Sequence, residues 1–133
     1  MHKSRLAGLI IDCQTDDLEG AAAFWSQALG YKIKASEHPE DQGYRLLDTR
    51  PDETHVEVQS VSHPSRVHLD IEADDIEAEV QRLEKLGAKR VAQIQTWWVM
   101  EAPTGQRFCV VSVVRSDFEA NANTWPDPPS ERP

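Results

Sequence analysis

The chain has 133 residues, enough for one domain and too few for two of full size. Its 39% hydrophobic and 28% charged content suits a globular protein with its own core, and two cysteines, Cys13 and Cys109, make neither a disulfide framework nor a structural zinc site. A formal net charge of −9 without a dense Lys/Arg cluster argues against nucleic acid as a partner, and the N-terminal apolar run is too short for a signal peptide or a membrane span, so a cytoplasmic protein without membrane contact is expected.

In chain order, Leu6 to Ile11 reads as a short strand. A helix follows. Asp16 is positioned to cap it, with Glu19 three residues on as the returning half of a capping box. Leu18, Ala21, Ala22, Trp25 and Leu29 form its apolar face, and Gly30 suits a left-handed end. Strands are predicted at Tyr31 to Ala35, Tyr44 to Asp48 and His55 to Val61, with turns at Pro39 to Gly43 and Pro51 to Asp52.

The second half echoes the first. Val67 to Ile71 is a strand-like run, and Asp-Asp-aliphatic-Glu recurs at 74–77 as at 16–19. Leu-Gly recurs at 86–87 as at 29–30, so the offset is 58 residues at one landmark and 57 at the other. Asp74 would cap this helix, Ile76, Val80, Leu83 and Leu86 would form its face, and Gly87 would end it. Strands follow at Arg90 to Ile94, Trp97 to Glu101 and Gln106 to Val114, the last after the Ala-Pro-Thr-Gly turn at 102–105. The last nineteen residues hold four of the eight prolines and lack periodicity, reading as an irregular tail pinned by Phe118 or Trp125. Without the tail's two bases and four acids the body carries −7, so the acidity belongs to the folded domain.

Alternation along the strands sorts the side chains by face. Val56 and Val58 should meet a helix while His55, Glu57 and Gln59 face the other way. Likewise Arg66, His68, Asp70 and Glu72 oppose Val67, Leu69 and Ile71, and Arg107, Cys109 and Val111 oppose Phe108 and Val110. Such alternation alone describes a solvated sheet face. Its recurrence at corresponding places in both halves favours polar faces that converge into a cleft. Trp97 and Trp98 point to opposite faces, so one ring is core and the other is available to stack on flat or cationic ligands. Asp12, Asp16, Asp17 and Glu19 read as an acidic patch for capping, and His2, His38 and His63 as solvated terminal or loop residues. No glycine-rich phosphate loop occurs.

The paired β-α-β-β-β modules, DDLEGAAAFWSQALGY, VHLDIEADDIEAEVQRLEKLGA and EAPTGQRFCVV together resemble the vicinal oxygen chelate superfamily, the group of glyoxalase I, extradiol dioxygenases and bleomycin resistance proteins. Ala102 and Gln106 depart from its usual turn. The resemblance implies an α+β fold in which two βαβββ modules form a cupped, curved mixed sheet with helices outside. Residues 1–114 would be the glyoxalase-like domain, with module one at about 5–61 and module two at about 65–114, and 115–133 the Pro-rich tail.

It also implies a small-molecule ligand and a homodimer. In the family's metal enzymes a divalent ion (zinc, nickel, iron or manganese) is held on the first and last strands of each module. By that correspondence His68, Glu57 and Cys109 are the candidate metal ligands, while the first strand offers only Ala7 or Gly8. The incomplete set predicts an altered or metal-free site. Catalysis is then assigned to Glu57 and His68, and ligand binding to Gln59, Trp98 and Cys109. Three functions are open: a lyase- or isomerase-type or dioxygenase-related enzyme, a metal-independent protein that sequesters a drug or toxin as bleomycin resistance proteins do, and a vestigial interaction module with no ligand.

Overall fold

The computed structural model describes residues 1–34 and 43–127. His38, Ala35 and most of the expected Pro39 to Gly43 turn lie outside the described residues. The chain forms two compact units, Gly8–Leu69 and Met1–Ala7 with Asp70–Pro133.

In the first unit, β1 (His2–Gln14) runs parallel to β3 (His55–Val61), in a register from Gly8↔His55 to Gln14↔Val61. β2 (Tyr44–Leu47) is antiparallel to β3 on its other side. Helix α1 (Leu18–Leu29) covers one face, where Ile11, Val56 and Val58 pack with Leu18 and Leu47, and Trp25 and Cys13 close the edge. Val56 and Val58 thus meet the helix, as the alternation requires.

Several local expectations need correction. Asp17, not Asp16, caps α1, its carboxylate accepting from Gly20 N at 3.0 Å. Glu19 therefore falls one position short of the capping-box site. Gly30 does end the helix, at φ 77°. The strand expected at Tyr31 to Ala35 is only an isolated bridge, Ile33↔Leu47. Val67 and Leu69, expected to be covered, are 59% and 45% exposed.

The second unit contains the end of β4 (Arg66–Ala73), α2 (Ile76–Lys85) and an antiparallel meander of β5 (Lys89–Ile94), β6 (Trp97–Glu101) and β7 (Arg107–Val111). Ala73, Val80, Leu83, Met100 and Val110 form its core. Its cap is likewise shifted by one, with Asp75 accepting from Ala78 N at 3.0 Å. Leu86, expected on the apolar face, is 65% exposed.

The described part of the tail, 115–127, is more ordered than its composition suggests. A short helix α3 (Phe118–Asn121) buries Phe118, and β8 (Asn123–Trp125) pairs with the start of β1. The Trp125 indole donates to Ser4 Oγ at 2.8 Å, so both expected pins hold. The element order is βαβββ twice apart from the weak Ile33 bridge, and the fold is α+β with parallel and antiparallel pairing in the sheet. No described helix is long and apolar enough to cross a membrane.

Candidate functional site

The face of the first unit opposite α1 collects its polar side chains. The β1/β3 register sets Ile10 beside Glu57 and Asp12 beside Gln59. These four share a face because strand side chains alternate and their neighbours Ile11, Val56 and Val58 are on the helix side. Glu57 and Gln59 are half-buried, and Asp12 is buried.

Asp12 organises this face. Its side chain is 1% exposed, and Oδ2 lies 2.7 Å from His68 Nδ1. Arg66 Nε stands 3.7 Å and His63 Nε2 4.0 Å from the same oxygen. The other oxygen, Oδ1, is buried without a hydrogen-bond partner among the described residues. A carboxylate only accepts, so the bond to His68 fixes the proton on Nδ1 and leaves Nε2 as the basic nitrogen of the neutral ring. The result is an imidazole held in one tautomer and one orientation by a buried acid.

The sequence placed His68, Glu57 and Gln59 on polar strand faces but gave Asp12 to a capping patch and His63 to a solvated loop. Asp12 needs correcting, whereas His63 does sit in the loop between β3 and β4, with its ring turned toward Asp12. Strand β1 continues to Gln14, three residues past its expected end, and carries Asp12 as an inward strand residue. The signal was present in the parity of Gly8, Ile10 and Asp12. It was masked because the acids that follow belong to a helix start.

The other expected wall residues lie in the second unit. Trp98 packs with the core residues Met100 and Val110 beneath α2, and the Arg90 guanidinium stacks over its ring at 4.9 Å. Trp98 is thus the member of the Trp97/Trp98 pair that packs against this core. Cys109 is a half-buried free thiol paired across from Val99, on the opposite face of β7 from Phe108 and Val110. Glu72, grouped with the polar strand face, is fully buried instead, its carboxylate bound by Arg5 Nε at 2.8 Å and by the Val114 and Arg115 amides.

The expected metal ligands are divided between the units, with Glu57 and His68 in one and Cys109 in the other. Within the first unit, among the described residues, no three carboxylate, imidazole or thiolate donors converge to within 4.8 Å. A catalytic zinc site takes three protein ligands. The donors of the first unit alone do not reach that number.

Solved structures share this fold. A hypothetical protein of Bacillus halodurans C-125 superposes with a TM-score of 0.60 at 12% identity, covering 85% of this chain and 96% of that one. A Mn(II)-bound glyoxalase from Novosphingobium aromaticivorans gives 0.59 at 18%, covering 86% of this chain but only 41% of that one. A methylmalonyl-CoA epimerase from Mycobacterium tuberculosis gives 0.54 at 16%, covering 82% and 87%. No curated protein matches the sequence. Residues 8–111 match the family described as Glyoxalase-like domain. That span takes in both modules and the Asp12–His68 pair, and the chain belongs to the glyoxalase-like domain family, within the vicinal oxygen chelate superfamily.

Proposed function

We propose that the polar face of the first unit is a proton-transfer site, and that the protein is an isomerase- or lyase-type enzyme acting on a small carbonyl compound. The observation that carries this reading is the Asp12–His68 bond of 2.7 Å, made by a carboxylate that is 1% exposed. Placing an acid there costs desolvation that an apolar side chain would avoid. What the pair gains is a fixed base.

In the step this allows, His68 Nε2 takes a proton from a carbon beside the carbonyl. The C–H electron pair moves into the carbon skeleton and the carbonyl oxygen becomes an enolate. Asp12 holds the imidazolium that forms. The Gln59 carboxamide, beside Asp12 in the register, offers an N–H to the developing oxyanion. Glu57, two residues along the same strand face, in its protonated form gives a proton to the other side and is left a carboxylate; solvent reprotonates it as His68 releases the proton it took. Return to the same carbon racemises it, and return elsewhere isomerises the compound. Proximity to a glyoxalase and an epimerase in fold supports this class of reaction without naming the substrate.

The test is deuterium incorporation from D2O into methylmalonyl-CoA, the methylglyoxal–thiol hemithioacetal and dihydroxyacetone, followed by NMR. Exchange by the wild type should fall by about a hundredfold or more in His68→Gln, the range that a positioned general base contributes. Equal exchange in wild type and variant would remove His68 from the chemistry. Binding of these compounds without exchange, and their recovery intact, would instead favour the sequestering function.

A further inference from the structure

Arg66 has a position that the proposed proton transfer does not use. It lies two residues before His68 on β4, so both side chains leave the strand on the same face, and both reach Asp12 Oδ2, at 3.7 and 2.7 Å. At 3.7 Å the guanidinium is attracted to the carboxylate but not hydrogen-bonded to it. Among the described residues Arg66 makes no hydrogen bond, and its side chain is 45% exposed. A half-exposed ion pair of that length stabilises the fold little. Its N–H donors are therefore available to a ligand.

His63 adds to the same rim. Its Nδ1 lies 2.8 Å from the Pro64 carbonyl, which can only accept, so Nδ1 carries a proton. Its Nε2 faces Asp12 Oδ2 at 4.0 Å, and its side chain is 37% exposed. In a chain of net charge −9, this face thus sets one cation and two imidazoles around a single buried carboxylate. A planar guanidinium with free N–H groups binds a carboxylate or phosphate in two-point fashion.

Resting on the proton-transfer reading of His68, we propose that Arg66, aided by His63, is an anion subsite, and that the substrates are small carbonyl compounds carrying a carboxylate or phosphate. The anionic end rests on Arg66 while the reacting carbon faces His68 Nε2. Charge recognition here selects the substrate and sets its orientation, and it adds no step to the chemistry. Screening over roughly 8 Å at physiological salt keeps the distant acids from cancelling this contact.

The experiment compares matched pairs: pyruvate with 2,3-butanedione, and dihydroxyacetone phosphate with dihydroxyacetone. Deuterium exchange is measured for wild type, Arg66→Gln and Arg66→Lys. Arg66→Gln should raise KM for the anionic members about tenfold or more, as loss of a charge-assisted pair implies, with kcat little changed and the neutral members unaffected. Arg66→Lys should recover part of the loss, since it restores the charge but not the two-point geometry. A merely structural Arg66 would alter anionic and neutral members alike.

A second readout is independent of turnover. In 15N-labelled protein, the Arg66 Nε–H signal, assigned by its loss in Arg66→Lys, is followed during titration with pyruvate and with inorganic phosphate. A saturable shift with pyruvate alone assigns a carboxylate, and one with phosphate alone assigns a phosphate ester. An unmoved signal with both ions overturns the subsite. Exchange without any preference for anionic members also overturns it, while leaving His68 as the base. No exchange with a saturable Arg66 shift does the reverse.

Discussion

At the residue scale, Asp12 sets a conflict between stability and function. Its carboxylate is buried, one oxygen bonded to His68 and the other without a partner among the described residues. An unsatisfied buried polar atom costs about 1–3 kcal/mol. Asp12→Asn removes the charge and keeps the shape, so thermal stability should hold or rise. Proton exchange should nonetheless drop by about a hundredfold, because the base loses the acceptor that fixes its tautomer and steadies its imidazolium. The 15N shifts of the His68 ring check the cause: in the variant the preference for the Nδ1–H form should weaken. A variant that loses exchange with the tautomer unchanged would place the role of Asp12 elsewhere. His68 and Glu57 were legible in the sequence because their polar side chains alternate with apolar ones. Asp12 was not, since it stands at the edge of an acidic run whose later members do belong to a helix start.

At the scale of elements, the strand pair that carries the site depends on a close approach. Gly8 faces His55 across the β1/β3 pair, and a Cβ there would sit 2.7 Å from the His55 carbonyl oxygen and 3.0 Å from its Cβ. Backbone cannot step aside as a flexible side chain can. Gly8→Ala should therefore destabilise the protein by about 1–3 kcal/mol, the usual cost of overpacking, read as a lower midpoint in urea. A midpoint equal to wild type would mean that the strands separate freely at this end. By contrast, Gly30 has open space around it but a φ of 77°. Gly30→Ala should cost about 1 kcal/mol through backbone strain alone, and the same urea titration measures it. The helices were legible from their apolar periodicity and terminal Leu-Gly pairs. Their caps were displaced by one residue because each start offers two adjacent aspartates, and only backbone geometry chooses between them. Over the described residues 31–34 only Ile33 pairs, with Leu47 of β2.

At the scale of the whole molecule, the duplicated βαβββ order was readable because the repeat is written twice in nearly constant register, whereas of the tail only the two aromatic pins were readable and not what they dock on. Its prolines and lack of periodicity say nothing of long-range partners, and those partners are what order it. Arg82 bridges the two kinds of contact in the second unit. It stacks on Trp125 at 3.9 Å and donates two bonds of 2.8 Å to Glu79, which also lies 2.8 Å from the His2 ring. Burial pushes the Glu79 carboxyl up, but bonds from Arg82, His2 and Ser4 outweigh it and hold the group below the ordinary carboxylate range. A group depressed on folding contributes stability at pH above its unfolded value and loses it as pH falls through the folded one. Wild-type stability should thus decline as solutions become more acidic than the ordinary carboxylate range. Glu79→Gln, which no longer titrates and leaves Arg82 without its charge partner, should cost about 3 kcal/mol at neutral pH and show a shallower acid decline. Thermal midpoints between pH 7 and pH 3 for the two proteins decide the matter. Parallel curves would move the acid sensitivity to Asp117, which Arg5 likewise holds low. A converging pair would identify the Glu79 knot as the place where acid first loosens the tail from the domain.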